Sequence, residues 1–186
     1  MPGSNATGIE YVCHWLVNRP IGEIKRVLDV GPGFGKWGFL CRLYLQHYKK
    51  IISKVNYPNF RERLNIDAIE IYPHYLQDLQ AQIYNQVFQG DMREIINSVD
   101  PYDLIICGDV LEHINYGEGI KFLEAARRKA KYVLIIMPTK FFAGEANVGN
   151  EHEKHQHVWI ENEWPDSPQR VVLHHTQIVL YENKKL

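Results

Sequence analysis

The sequence predicts an α/β protein built on a doubly wound, mostly parallel sheet that ends in an antiparallel hairpin. Short β-rich apolar runs alternate with segments of helical period, which implies parallel strands covered on both faces. One such run, Arg26-Val-Leu-Asp-Val30, passes directly into Gly31-Pro-Gly-Phe-Gly35 and then into a helical pattern. Near the C-terminus, Arg170 to His174 and Gln177 to Tyr181 are β-rich and too close together to hold a helix between them.

The elements follow in order. Residues 1–8, with two glycines and a proline among small polar side chains, are expected to be flexible. Ile9 to Asn18 places apolar residues at 9, 12, 13, 16 and 17, a helical period that Pro20 ends. After the glycine turn, Trp37, Leu40, Cys41, Tyr44, Leu45 and Tyr48 recur at steps of three and four. Leu64 to Ile71 reads as the second strand. Pro73 then suits the first turn of a helix showing Leu76, Leu79 and Ile83 on one face. Tyr84 to Gln89 is the third strand and Tyr102 to Cys107 the fourth, followed by a helix from Ile114 to Lys129. Tyr132 to Met137 is the fifth, ended by Pro138.

Two stretches interrupt the alternation. Residues 49–63 are basic, with Lys49, Lys50, Lys54, Arg61 and Arg63 against Glu62, and read as a solvated insertion. Residues 141–170 are acidic, with Glu145, Glu151, Glu153, Glu161, Glu163 and Asp166 against Lys154 and Arg170. It is most simply a solvated insertion too, with a lid-like segment as the competing reading for a connection this long.

Composition bounds the function. At 186 residues the chain suits a single domain with a real hydrophobic core. The 21 basic and 22 acidic side chains leave a net charge of -1, with no global field for nucleic acid. Cys13, Cys41 and Cys107 lie among apolar residues without a CxxC pair, as buried free thiols in a reducing compartment would. The N-terminus lacks the basic-then-apolar order of a signal peptide, and no apolar run approaches the ~20 residues that span a bilayer. A cytoplasmic protein is expected.

A strand ending in glycines before a helix offers bare backbone N–H groups to a ligand. The spacing is not that of a P-loop, because Trp37 stands after Lys36 where a hydroxyl should bind magnesium. A dinucleotide fingerprint counted from Gly31 fails at Lys36; counted from Gly33 it fits Gly38, but starts late relative to the strand.

The pattern Asp29-Val-Gly31-Pro-Gly33-Phe-Gly35 instead resembles the first motif of the class I S-adenosylmethionine-dependent methyltransferases, which have a Rossmann-like fold. The resemblance continues in order. Ile66-Asp-Ala-Ile-Glu70-Ile71 is similar to the family's second strand, whose terminal acidic residue bonds the ribose hydroxyls. Gln89-Gly-Asp91-Met92 looks like the third motif, with Asp91 toward the adenine. Gly108-Asp109-Val-Leu-Glu112-His113 is similar to the fourth, and Tyr132 to Pro138 resembles the next core strand. The resemblance implies S-adenosyl-L-methionine as cofactor, bound by Asp29, Gly31, Gly33, Gly35, Glu70, Ile71, Asp91, Met92 and Asp109. Asp91 and Asp109 also suit helix caps, and capping does not preclude ligand binding. From Gly31 to Glu70 is 39 residues, but without the 15 of the basic stretch it is 24, near the roughly 20 expected of such a unit.

Methyl transfer from a sulfonium needs alignment and, for a hydroxyl or amine acceptor, a proton acceptor. The resemblance turns Asp109, Glu112 and His113 toward the site. His155, in Glu151-His152-Glu153-Lys154-His155-Gln156-His157, is the further candidate, so Asp109, His113 and His155 are the expected catalytic residues. Val158, Trp159 and Trp164 would give that segment an apolar surface to close over a ligand. Its histidines and carboxylates are metal-ligand types but lack a recognisable zinc spacing, so no metal is expected. The motif of amino-nitrogen DNA methylation is missing, and with the charge this leaves a small-molecule acceptor, with no nucleic acid or membrane partner and the oligomeric state open. The alternatives are a non-catalytic S-adenosylmethionine-binding partner subunit and a NAD-dependent oxidoreductase.

Overall fold

In the computed structural model, which describes residues 6–20, 22–48, 64–140 and 149–183, strands form where the sequence is most continuously apolar. β1 (Arg26–Val30), β2 (Asn65–Glu70), β3 (Gln86–Gln89), β4 (Tyr102–Gly108) and β5 (Ala130–Pro138) are parallel and lie in the order β3-β2-β1-β4-β5. β7 (Thr176–Glu182) runs antiparallel beside β5, and β6 (Gln169–Leu173) antiparallel beside β7, completing a seven-stranded sheet. This is the mostly parallel fold with a C-terminal antiparallel hairpin that the sequence predicts. The basic stretch 49–63, residues 1–5 and residues 141–148 lie outside the described residues.

Both faces of the sheet are buried, which is why the central strands lack polar alternation. Leu28, Val30, Ile105, Cys107, Val133 and Ile135 point into one apolar layer; Val27, Leu104, Ile106, Tyr132 and Leu134 point into the other. The first layer is closed by α4 (Met92–Ser98) and α5 (Tyr116–Lys129), through Ile96, Phe122, Leu123 and Ala126. The second is closed by α1 (Ile9–Val17) and α2 (Lys36–Cys41), through Val12, Leu16, Trp37 and Cys41. At about 1.5–3 kcal/mol per large apolar side chain removed from water, these two layers dominate the stability of the fold.

The register sets the strand ends side by side. Val30 is level with Ile69 on one neighbour and with Cys107 on the other. The pairing continues one residue beyond: Gly31 N donates to Ile69 O at 2.9 Å, Gly90 N to Glu70 O at 2.9 Å, and Asp109 N to Ile136 O at 2.7 Å. The expected binding motifs therefore emerge along one edge, at the carboxyl ends of the parallel strands.

Some elements differ from expectation. The helix expected from Pro73 is two pieces, a 3₁₀ turn (Pro73–Tyr75) and α3 (Asp78–Ile83). Leu79 faces solvent at 49% exposure while Gln80 is 2% exposed. Gln80 turns inward because its amide donates to Gly33 O at 2.6 Å and accepts from Gln77 N at 3.0 Å. The helix expected from Ile114 starts at Tyr116, because Asn115 caps it by accepting from Glu118 N at 3.0 Å. Residues 6–8, expected to be flexible, form the turn into α1, with Ile9 N donating to Ala6 O at 3.2 Å.

Candidate active site at the strand ends

The glycine turn is a backbone structure that side chains cannot replace. Gly31, Gly33 and Gly35 have φ of +66°, +51° and +84°, the region in which an L side chain is strained. At Gly31 a Cβ would also stand 2.4 Å from Val110 Cγ2. Below the turn lies Asp29, fully buried, which accepts from Gly38 N at 2.9 Å and from the Tyr84 hydroxyl at 2.6 Å. Burial pushes its pKa up to about 6, against the pull of those two hydrogen bonds and of Lys36.

Above the turn opens a cavity of about 670 Å³, within the range of small-molecule sites. Gly31, Gly33, Glu70, Ile71, Asp91 and Met92 form one end of its lining. The Glu70 carboxylate accepts from Tyr72 N at 2.8 Å and Gly33 N at 3.4 Å, so it ties the glycine turn to the end of β2. Burial raises its pKa, and those backbone donors oppose the rise. Asp91 caps α4 by accepting from Arg93 N at 2.8 Å. Its carboxylate is clasped by the Arg93 guanidinium, whose hydrogen bonds hold the pKa down.

The other end of the cavity gathers Asp109, Glu112, His113 and His155. Asp109 holds φ +56° directly after β4, and the Lys36 ammonium stands 3.9 Å from its carboxylate. It does not cap the following 3₁₀ turn (Leu111–His113). Glu112 is 1% exposed, and burial, with Asp109 nearby, drives its carboxyl well above the usual range. Burial lowers the pKa of His113, with His155 adding to the effect, and burial lowers His155 as well. Their rings meet edge to face with centroids 5.0 Å apart.

The segment carrying His155 is fastened at both sides of the cavity. Gln156 N and His157 N donate to Glu112 O at 2.6 and 3.2 Å, and the Gln156 amide donates to His113 O at 2.8 Å. Across the cavity, the Tyr75 hydroxyl donates to Glu153, and the buried Asn150 amide donates to that hydroxyl at 3.3 Å. His152 and Glu151 also line the cavity, whereas His157 pairs with Glu163 at 3.0 Å. Trp159 and Trp164, expected to close over a ligand, are instead 1% and 6% exposed and stacked on each other in the core, with centroids 4.6 Å apart. They anchor the segment to the sheet because the apolar layer beside α5 has room for both rings.

Of the expected cofactor-binding residues, Asp29 and Gly35 do not reach the cavity wall. Asp29 alternates into the layer beneath β1, and Gly35 starts α2, where a Cβ would lie 2.6 Å from Ile83 Cδ1. Their place is to shape the turn. Sequence reasoning missed Lys36, Tyr75 and Asn150, which line the cavity. Only the charge of Lys36, within the glycine motif, offered a signal.

A family model for a methyltransferase domain matches residues 8–177. The chain belongs to that family. Solved structures place the methyltransferase domain among class I folds. An O-methyltransferase family protein from Burkholderia thailandensis aligns with a TM-score of 0.62 at 10% identity over 93% of this chain; the chain spans 55% of that protein's length. Magnesium protoporphyrin IX methyltransferase from Synechocystis PCC 6803, solved with SAH bound, aligns at 0.58 and 16% identity over 92% of this chain and 80% of its own. The N-terminal domain of EvdMO1, in the presence of SAH and D-fucose, aligns at 0.58 and 11% identity over 96% and 83%. No curated protein sequence matches the chain. Among the described residues of the methyltransferase domain, no helix is long and apolar enough to cross a membrane.

Proposed function

We propose that the chain is an S-adenosylmethionine-dependent methyltransferase acting on a small-molecule acceptor in the cytoplasm. The observation that carries this is one cavity with two chemically distinct ends. At the first, a bare glycine turn, an acidic residue ending β2 and another following β3 match the hydrogen-bonding groups of a nucleoside donor. At the second, buried carboxylates and imidazoles face the same space. The cradle fits the donor because Gly31 and Gly33, held at positive φ, present bare backbone to the cavity.

When bound, S-adenosylmethionine supplies a methyl group on an activated sulfonium. The residues of the chain do the rest. Glu70 and Asp91 orient the nucleoside, with Ile71 and Met92 against its apolar faces, and the turn at Gly31 and Gly33 brings the donor to the end of β4. Asp109, His113 and His155 hold the acceptor atom and its proton at the opposite end, and the strap of residues 150–157 excludes water. Buried thiols at Cys13, Cys41 and Cys107 suit a reducing compartment.

The competing reading, a subunit that binds the donor without turning it over, draws on the Arg93 clasp that occupies Asp91. Screening small-molecule extracts with donor labelled in the methyl group separates the two. Label transferred to a discrete product supports the enzyme, and donor binding without transfer across the screen supports the partner subunit.

A further inference from the structure

The acceptor end holds a polar cluster that methyl transfer alone does not require. Glu112, His113 and His155 each bring a ligand atom within 4.8 Å of the other two. One of these groups is in an expensive state. Glu112 is 1% exposed, yet its Oε2 is buried with no hydrogen-bond partner. A carboxylate taken from water is ordinarily matched by a cation or by donors. His113 Nδ1 is also buried without a partner, while the backbone of Lys154 and Glu153 interacts with its ring.

We propose that Glu112, His113 and His155 form a binding site for one divalent transition-metal ion. Two imidazoles and a carboxylate suit zinc, cobalt or iron, and are poorly matched to magnesium or calcium, which prefer all-oxygen shells. Three protein ligands leave a fourth position, the arrangement of reactive metal sites. All three residues line the cavity, so that position faces the acceptor. Ligands about 2.0–2.1 Å from zinc stand roughly 3.3 Å apart, so the cluster closes by side-chain rotation of about 1.5 Å or less. The backbone is already held for this: Gln156 N and His157 N bond Glu112 O, and the Gln156 amide bonds His113 O. The histidine-rich segment hides the site in the sequence because it supplies one ligand, while the other two follow β4.

The inference rests on the methyl-transfer reading only for its consequence. With the ion bound, His113 and His155 would serve as its ligands and Asp109 would be left to take the acceptor's proton. An acceptor with an oxygen donor beside the methylated atom would be held through the metal.

The test uses the full chain stripped with EDTA. Cobalt(II) is followed by its visible absorption, zinc by competition with a chromophoric chelator, and S-adenosylhomocysteine affinity is measured on the same preparation. One equivalent of cobalt should bind with the bands of a four-coordinate site, and zinc should displace it. Glu112→Gln, a near-isosteric change, and His155→Ala, on the strap, should each lower zinc affinity by more than about 100-fold, since loss of a mere supporting contact costs roughly 10–100-fold. His174→Asn, on the exposed β6–β7 turn, should retain it. No stoichiometric cobalt binding, or wild-type zinc affinity in both cluster variants, overturns the proposal. If S-adenosylhomocysteine still binds in those samples, the metal inference alone has failed; if the wild-type chain does not bind it, the donor assignment has failed.

Discussion

At the ends of β2 and β3 the acidic groups of the cavity wall are held by hydrogen bonds, whereas after β4 two buried polar atoms of the wall are not. Glu70 is bonded to two backbone N–H groups, Asp91 to Arg93, and Gly33 O to Gln80. Across the cavity, Glu112 Oε2 and His113 Nδ1 are buried without partners. The donor end is thus held together by its own hydrogen bonds, and a ligand there meets a finished backbone surface. The acceptor end keeps desolvated groups in readiness, a state that destabilises a fold and is found where chemistry uses it.

If the ends are separable in this way, substitutions should affect one and spare the other. The largest effect belongs to the acceptor end. His155→Ala should slow turnover of an identified acceptor by about 100-fold or more, with donor affinity nearly unchanged. Turnover and calorimetry on one preparation check this, and a matching loss of donor affinity would break the separation.

Next is the floor of the donor end. The Asp29 pKa of about 6 in the folded chain exceeds that of an unfolded aspartate, so the folded state holds its proton more tightly. Stability from this group is therefore fully present below about pH 4 and is lost as pH rises toward 6, by up to roughly 3 kcal/mol. Asp29→Asn should lack that fall, and the difference between wild-type and variant urea titrations across pH 4–7 isolates it. A parallel pH profile would mean that Asp29 is not buried as an acid.

Gly33→Ala comes third. Forcing a side chain to φ +51° costs about 1–2 kcal/mol, which strains the turn that meets the donor. S-adenosylhomocysteine affinity should drop by at least roughly 10-fold with an unchanged circular dichroism spectrum. The smallest effect sharpens the comparison. Arg93→Met removes the clasp on Asp91, whose side chain is 21% exposed. Freed for the ligand, Asp91 should raise donor affinity by about 2- to 5-fold, the scale of a partly exposed ion pair. A loss of affinity would instead make Arg93 part of the binding surface.

The sequence showed the donor end more clearly than the acceptor end, for a physical reason. Positive φ at three positions in five residues can be met cheaply only by glycine, so the turn is written in residue type. The buried strands are likewise written as apolar runs. Inward-facing Gln80 and the core position of Trp159 are not, because each depends on a neighbour distant in the chain. Leu79 is the apolar residue that the helical period would bury, yet Gln80 is buried in its place because Gly33 O needs a donor. The tryptophans looked like a lid surface because nothing local says that the layer beside α5 can admit them. Glu112 and His113 were legible as site residues, but their meeting with His155 depends on backbone bonds from Gln156 and His157 that no spacing encodes.

The assignment of the first end to a nucleoside sulfonium donor is tested most directly by calorimetric titration of the full chain with S-adenosylmethionine and, separately, with NAD. One-to-one binding of S-adenosylmethionine in the micromolar range, with no heat from NAD, is the predicted result. Binding of NAD without binding of S-adenosylmethionine would contradict it.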